Sequence, residues 1–237
     1  MRLLVTRPEP DGEHTAAALR AMGHDVLLAP LLRIETIPDA ELGTGPFAAI
    51  LLTSANGARA IATHPRRGEL ATLPVLAVGP GSAEAARAAG FSDVTSADGD
   101  GGALARLAAA RLAGSDRLLL YLAGEDRARN VSGELAASGL TVRSVVVYRA
   151  VKAASMPSPA RSALAECRID GVLHFSRRSV ESYLDCTRDI LKLALEPVHF
   201  CLSARAAEPL KAAGAVQIRI APRPEEAALL ALVMPRP

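Results

Sequence analysis

Apolar residues along this chain fall in short runs that alternate with amphipathic stretches, the pattern of strands and helices taking turns. Leu3-Leu4-Val5 begins the first run. The pattern then predicts a helix from about Gly12 to Met22, a stop at Gly23 and a second strand over DVLLAP (25–30). Strand–helix alternation that persists through the whole length predicts the α/β class with mostly parallel sheet.

The pattern also repeats. LLVTRPEP (3–10) has a partner in LLLYLAGED (118–126), which leads to a helix ending near Gly139 and a strand over TVRSVVVYR (141–149). Leu19, Gly23 and Val26 correspond to Leu135, Gly139 and Val142. A second kind of unit starts at AAILLTSANGARAI (48–61) and returns as DGVLHFSRRSVESYL (170–184), with Ser54 matched by Ser176. It continues through VLAVGPGSAEAARAAG (75–90) and HFCLSARAAEPLKAAG (199–214). There Glu84 matches Glu208, and Gly90 matches Gly214 as a helix stop. Each second-kind unit closes with a short strand and an amphipathic helix, predicted at 102–112 and 224–233.

The first kind of unit supplies two strands and the second kind three, which predicts five-stranded, doubly wound sheets of flavodoxin-like type, two in all. LLRIETI (31–37) and SVVVYRAVKA (144–153) run beyond the strands their units require. Paired antiparallel, they form a two-stranded β-ladder joining two domains. The expected division is a discontinuous domain, 1–35 plus 153–237, an inserted domain, 38–146, and bridging strands at 31–38 and 146–154.

Composition narrows the function classes. Half of the 237 residues are hydrophobic, enough for two cores, and a net charge of +2 gives no general attraction to nucleic acid or an anionic membrane. Lysine appears only at Lys152, Lys192 and Lys211, so arginine carries the positive charge. Guanidinium forks suit carboxylates, although a composition rich in alanine, arginine and glycine is the simpler origin of the bias. Cys167, Cys186 and Cys201 have no CxxC spacing, which predicts reduced thiols rather than disulfides or a zinc site. No run approaches the roughly 18 apolar residues of a membrane span, and the opening apolar stretch is too short for a secretion signal. A cytoplasmic protein is expected.

Candidate chemistry gathers at loops that follow strands. In open α/β sheets these loops begin helices whose unpaired N–H groups bind anions. They nominate Arg7, Ser54, Asn56, Gly79, Gly81, Ser82, Gly124, Ser176 and Ser203 for ligand binding. The serines suit helix capping equally well, and the glycines suit plain turns. Arg127, Arg129, Arg177 and Arg178 also cluster just after strands. GPGSAE does not fit GxGxxG, and the chain contains no Walker A loop, HExxH or GxSxG. His174 and His199 lie inside apolar strands and read as core residues. Neither a metal nor a cofactor is expected.

TRP (6–8), LTSANGARAI (52–61), VGPGSAEAARAAGF (78–91), YLAGED (121–126) and VVVYRAV (145–151) together resemble the uroporphyrinogen-III synthase family. The resemblance implies two flavodoxin-like domains in the crossed arrangement, with hydroxymethylbilane as substrate. It also implies handover from hydroxymethylbilane synthase and a cofactor-free reaction; a monomer is the default expectation, on which the sequence is silent. The product would be uroporphyrinogen III, with the terminal pyrrole inverted. Tyr148 matches the family's tyrosine and becomes the catalytic candidate, a neutral phenol able to assist departure of the hydroxymethyl oxygen. Read without the resemblance, Tyr148 is a packing tyrosine in a strand. The chain departs from the family at Ser203-Ala204-Arg205-Ala206-Ala207, where Gly-Pro and threonine are usual, leaving Ser203 or Arg205 to serve. A cytoplasmic two-lobed module that binds a tetrapyrrole or small ligand without catalysis is the competing expectation.

Overall fold

The computed structural model describes residues 1–112, 118–125, 135 and 139–233. The chain divides into two compact units, Met1–Arg33 with Val151–Pro237, and Ile34–Ala150.

The first unit is built on a parallel sheet of β1 (Arg2–Val5), β2 (Asp25–Leu28), β9 (Gly171–His174), β10 (Val198–Cys201) and β11 (Ile218–Ile220). Its spatial order is β2-β1-β9-β10-β11. The strands are short and nearly all apolar because helices cover both faces. Leu4 and Val172 pack to one side with Ala160, Leu164 and Tyr183. Leu3, Val5, Leu173 and Phe200 pack to the other with Leu19 and Leu229. Among the described residues, the helices of this unit with five residues or more are α1 (Asp11–Ala21), α5 (Ser158–Ala165), α6 (Arg177–Cys186), α7 (Ala204–Ala212) and α8 (Glu226–Leu230). α8 is shorter than the stretch predicted over 224–233.

The second unit contains β3 (Leu32–Thr36, which begins just before it), β4 (Phe47–Leu52), β5 (Val75–Ala77), β6 (Val94–Ser96), β7 (Leu118–Gly124) and β8 (Val142–Lys152). Among the described residues, its helices with five residues or more are α2 (Ala55–Ala62), α3 (Pro80–Ala88) and α4 (Gly101–Arg111). The strand order is β3-β8-β7-β4-β5-β6. Without β3 this wiring is that of the first unit: two strands of the first kind of repeat, then three of the second. Ile50, Leu52, Leu120 and Leu122 face the core on one side, while Ala49, Leu51, Leu119 and Tyr121 face the other. That alternation is the two-residue period of a strand buried on both faces. The helix expected before Gly139 lies largely outside the described residues.

The ladder between the repeats takes a form that periodicity alone did not predict. It is continuous with the second sheet, which therefore has six strands rather than five. β8 is eleven residues long. Its edge away from β7 would otherwise expose unpaired N–H and C=O groups, and β3 covers it. The Ile37 N–H donates to the Val147 carbonyl at 2.8 Å and the Ala153 N–H to the Leu31 carbonyl at 3.0 Å, an antiparallel progression.

The helix stops follow the repeat. Gly90 and Gly214 have φ of +90° and +91°, the left-handed conformation that ends a helix without a side-chain penalty. In the second unit, Gly57 lets α2 approach its sheet. A Cβ there would stand 2.9 Å from the Leu122 carbonyl oxygen.

Candidate active site

Parallel strands bring their carboxyl ends to one edge of each sheet, and the helix that follows each strand begins there. Four loops end in an extended N-cap residue: Ser54 (φ −155°), Gly79 (φ −158°), Ser176 (φ −158°) and Ser203 (φ −154°). Ser54 accepts from the Asn56 N–H at 3.2 Å. Ser203 accepts from the Ala206 N–H at 3.3 Å. Ser176 forms a capping box: its hydroxyl accepts from the Ser179 N–H at 3.1 Å, and the Ser179 hydroxyl accepts from the Ser176 N–H at 3.1 Å. Capping therefore accounts for all three serines, and Ser176 also donates its hydroxyl proton to Ser179 Oγ at 3.2 Å.

Gly79 differs because it has no side chain to cap α3. Pro80 occupies the first turn, where its missing N–H is no loss. A Cβ on Gly79 or Gly81 would meet nothing within 4 Å, so this helix start is open. Ser82, in the same turn, is buried at 8% exposure. Asn56 has its Oδ1 occupied by Arg59, which donates at 2.8 Å.

Two nominated residues take roles the sequence does not suggest. Arg7 follows its strand as expected, but its fork is not open. It donates to Glu226 at 2.6 Å and Thr15 at 3.2 Å, pairs with Asp11 at 3.4 Å, and lies 4.7 Å from the Phe175 ring centroid. Glu226 and Asp11 stand in the first turns of α8 and α1, where carboxylates complement the helix dipole, so the guanidinium ties those helix starts together. Gly124, expected in a binding loop, is instead the buried last residue of β7, paired in register with Tyr148.

Tyr148 sits in β8 with 8% exposure, among the core residues of the second unit. The register between β7 and β8 slips between Ala123 and Gly124, so Gly124 faces Tyr148 directly. A Cβ on Gly124 would fall 2.6 Å from the Tyr148 Cζ and 2.7 Å from its hydroxyl oxygen. The Tyr148 carbonyl accepts the Glu125 N–H at 3.1 Å, which fixes the backbone beside the ring.

Tyr121 is a polar group that the sequence reading missed. It has no solvent exposure, and its hydroxyl lies 2.8 Å from the Thr53 hydroxyl at the end of β4. A tyrosine alternating with leucines in an apolar strand was the available signal. Arg127 and Arg129 lie outside the described residues, and Arg177 pairs with Glu181 at 2.9 Å and Glu208 at 2.7 Å. Among the described residues no group of His, Cys, Asp and Glu could hold a metal ion, and no helix is long and apolar enough to cross a membrane.

The structure of a uroporphyrinogen-III synthetase from Helicobacter pylori 26695 is similar, with a TM-score of 0.67 at 18% identity, covering 98% of each chain. A mutant uroporphyrinogen III synthase from Thermus thermophilus matches with a TM-score of 0.54 at 18% identity, covering 98% of this chain and 97% of the other. At these identities the likeness establishes the fold. No curated protein sequence matches the chain. The family model HEM4, uroporphyrinogen-III synthase HemD, matches residues 13–231. With the repeated sheets and the ordered loops at their carboxyl edges, that match places the chain in the uroporphyrinogen-III synthase family, the cyclising lyases of tetrapyrrole biosynthesis.

Proposed function

We propose that the loops at the carboxyl edges of the two sheets hold hydroxymethylbilane through its carboxylates, and that Tyr148 assists the loss of its hydroxyl group. The family match over residues 13–231 is the observation that carries this reading. Its support in the geometry is the set of helix starts at Ser54, Gly79, Ser176 and Ser203. Each offers N–H groups and a local positive potential to an anion. Asn56, Gly81 and Ser82 belong to two of those starts. Arg7 acts through the helix starts it ties together, and Gly124 acts by seating Tyr148.

In the reaction the hydroxymethyl C–O bond breaks and the oxygen leaves as water. A phenol hydrogen-bonded to that oxygen stabilises the charge developing on it. The resulting azafulvene is attacked by the substituted carbon of the terminal pyrrole to give a spiro intermediate. Fragmentation and recombination of that intermediate invert the ring, and loss of a proton restores aromaticity. Multiple anion contacts serve chiefly to hold a flexible chain in the folded shape that this attack requires.

The two domains in this reading are 1–35 plus 153–237 and 38–146, joined at 31–38 and 146–154. The protein acts as a cytoplasmic monomer that receives its substrate from hydroxymethylbilane synthase. Its near-neutral charge of +2 supports a small-molecule partner over nucleic acid. The test is the isomer formed from hydroxymethylbilane by the purified protein, separated by chromatography. Type III isomer is expected without added metal or cofactor. Only the type I isomer, which forms by uncatalysed closure, would leave a ligand-binding module in place of the synthase.

A further inference from the structure

The two units share one wiring, so each position in one sheet has a counterpart in the other. In the first unit Val5 pairs with Leu173, and in the second Tyr121 pairs with Leu51. Val5 is therefore the counterpart of Tyr121. By the same registers Phe175, two residues beyond Leu173, is the counterpart of Thr53, two residues beyond Leu51. The first unit fills this pair of positions with two apolar side chains. The second fills it with two hydroxyls 2.8 Å apart.

The fold does not need those hydroxyls, and burying them is unfavourable unless each is satisfied. Tyr121 has no exposure, whereas Thr53 is half-buried and opens the loop that also contains Ser54 and Asn56. A phenol is a better donor and a poorer acceptor than an aliphatic alcohol. Either hydroxyl can donate at this distance; with the phenol donating to Thr53 Oγ1, the Thr53 O–H is left to donate elsewhere. A donor that itself accepts a hydrogen bond is polarised by it and strengthened. The β-branched threonine also has few rotamers, so a second hydroxyl behind it fixes its direction.

We propose that Thr53 donates a hydrogen bond to a carboxylate of the substrate, and that Tyr121 is the positioning residue that holds and polarises it. This rests on the reading that the carboxyl edge of the second sheet binds the tetrapyrrole.

The experiment measures kcat and KM with hydroxymethylbilane, together with anaerobic equilibrium binding of uroporphyrinogen III. It compares wild type, Tyr121→Phe, Thr53→Val, Thr53→Ser and the Tyr121→Phe/Thr53→Val pair. Loss of the positioned hydrogen bond should raise KM and weaken binding by about five-fold in Tyr121→Phe and Thr53→Val, with kcat nearly unchanged. Thr53→Ser should restore most of the affinity. The double variant should bind no worse than Thr53→Val alone, because Tyr121 acts through Thr53. It should also melt near the wild type, since the first unit fills both counterpart positions with apolar side chains.

Wild-type KM and binding in Tyr121→Phe would overturn the proposal, as would a Tyr121→Phe effect that persists undiminished in the Thr53→Val background. Formation of only type I isomer by the wild type would instead remove the catalytic reading. The binding series would then still decide the roles of Thr53 and Tyr121.

Discussion

Gly124 lies directly against the ring of Tyr148: a methyl group on the glycine would stand 2.6 Å from Cζ and 2.7 Å from the phenol oxygen. The absent side chain is thus part of what seats the catalytic candidate. Gly124→Ala should push the ring aside, lowering kcat and destabilising the protein by about 1–3 kcal/mol through overpacking. Tyr148→Phe removes only the hydroxyl, so its thermal midpoint should move little while kcat falls. The fall should sit at or below the low end of the roughly 10²–10⁴-fold expected of general-acid assistance, because a hydroxymethylpyrrole ionises readily. Steady-state kinetics and thermal melts of both variants check this. Wild-type kcat in Tyr148→Phe would make it a packing residue.

A second buried polar pair lies in the first unit. His174 Nε2 and His199 Nδ1 are 3.1 Å apart, both residues have no exposure, and the Tyr183 ring stands edge-on to both at 5.2 and 5.8 Å. One neutral imidazole must donate and the other accept. Burial pulls His199 down to about 4; burial and then the neighbouring ring pull His174 well below its ordinary value. Tyr183 and Cys201 are pushed up by burial, which keeps both neutral.

The unfolded chain therefore binds protons near pH 6.5 that the folded pair refuses. Stability should be full above pH 6.5 and fall as pH drops toward 4, losing about 2–4 kcal/mol from His199 across that window. The sequence supplies its own control, since registers make Leu52 and Val75 the counterparts of His174 and His199. Urea unfolding of His174→Leu/His199→Val should show a flatter pH dependence between 6.5 and 4 than wild type. Parallel curves would mean that the pair titrates normally.

Gly81 offers a test of backbone approach at the α3 start. Nothing lies within 4 Å of a Cβ placed there, and alanine suits a helical position better than glycine. Gly81→Ala should leave the thermal midpoint unchanged or raise stability by about 0.5 kcal/mol, while KM rises because the methyl group obstructs the N–H groups. An unaltered KM would place the substrate elsewhere.

Ser176 and Ser54 are both caps, but of unequal strength. Ser176 exchanges two hydrogen bonds with Ser179, while Ser54 accepts one from Asn56. Ser176→Ala should cost about 1 kcal/mol of stability or more, and Ser54→Ala less. Urea midpoints rank them. Equal losses would show that the added contact from the Ser176 hydroxyl to Ser179 Oγ contributes nothing.

Some of this was readable from the chain alone. Gly90 and Gly214, the serines at 54 and 176, and the alternating apolar runs are local signals, because a helix stop, a cap or a strand period is decided by neighbouring residues. The repeat extended those signals to the five strands of each sheet, and the two long extended segments suggested the crossed pairing of the units. Side-chain partners far apart in sequence were not readable. Arg7 meets Glu226 across 219 positions, Thr53 meets Tyr121 across 68, and β3 adds to β8 only because an eleven-residue edge needs cover. The same residue types fit an open binding loop or a closed internal pair. Burial and register, which exist only once the chain has folded, decide between them.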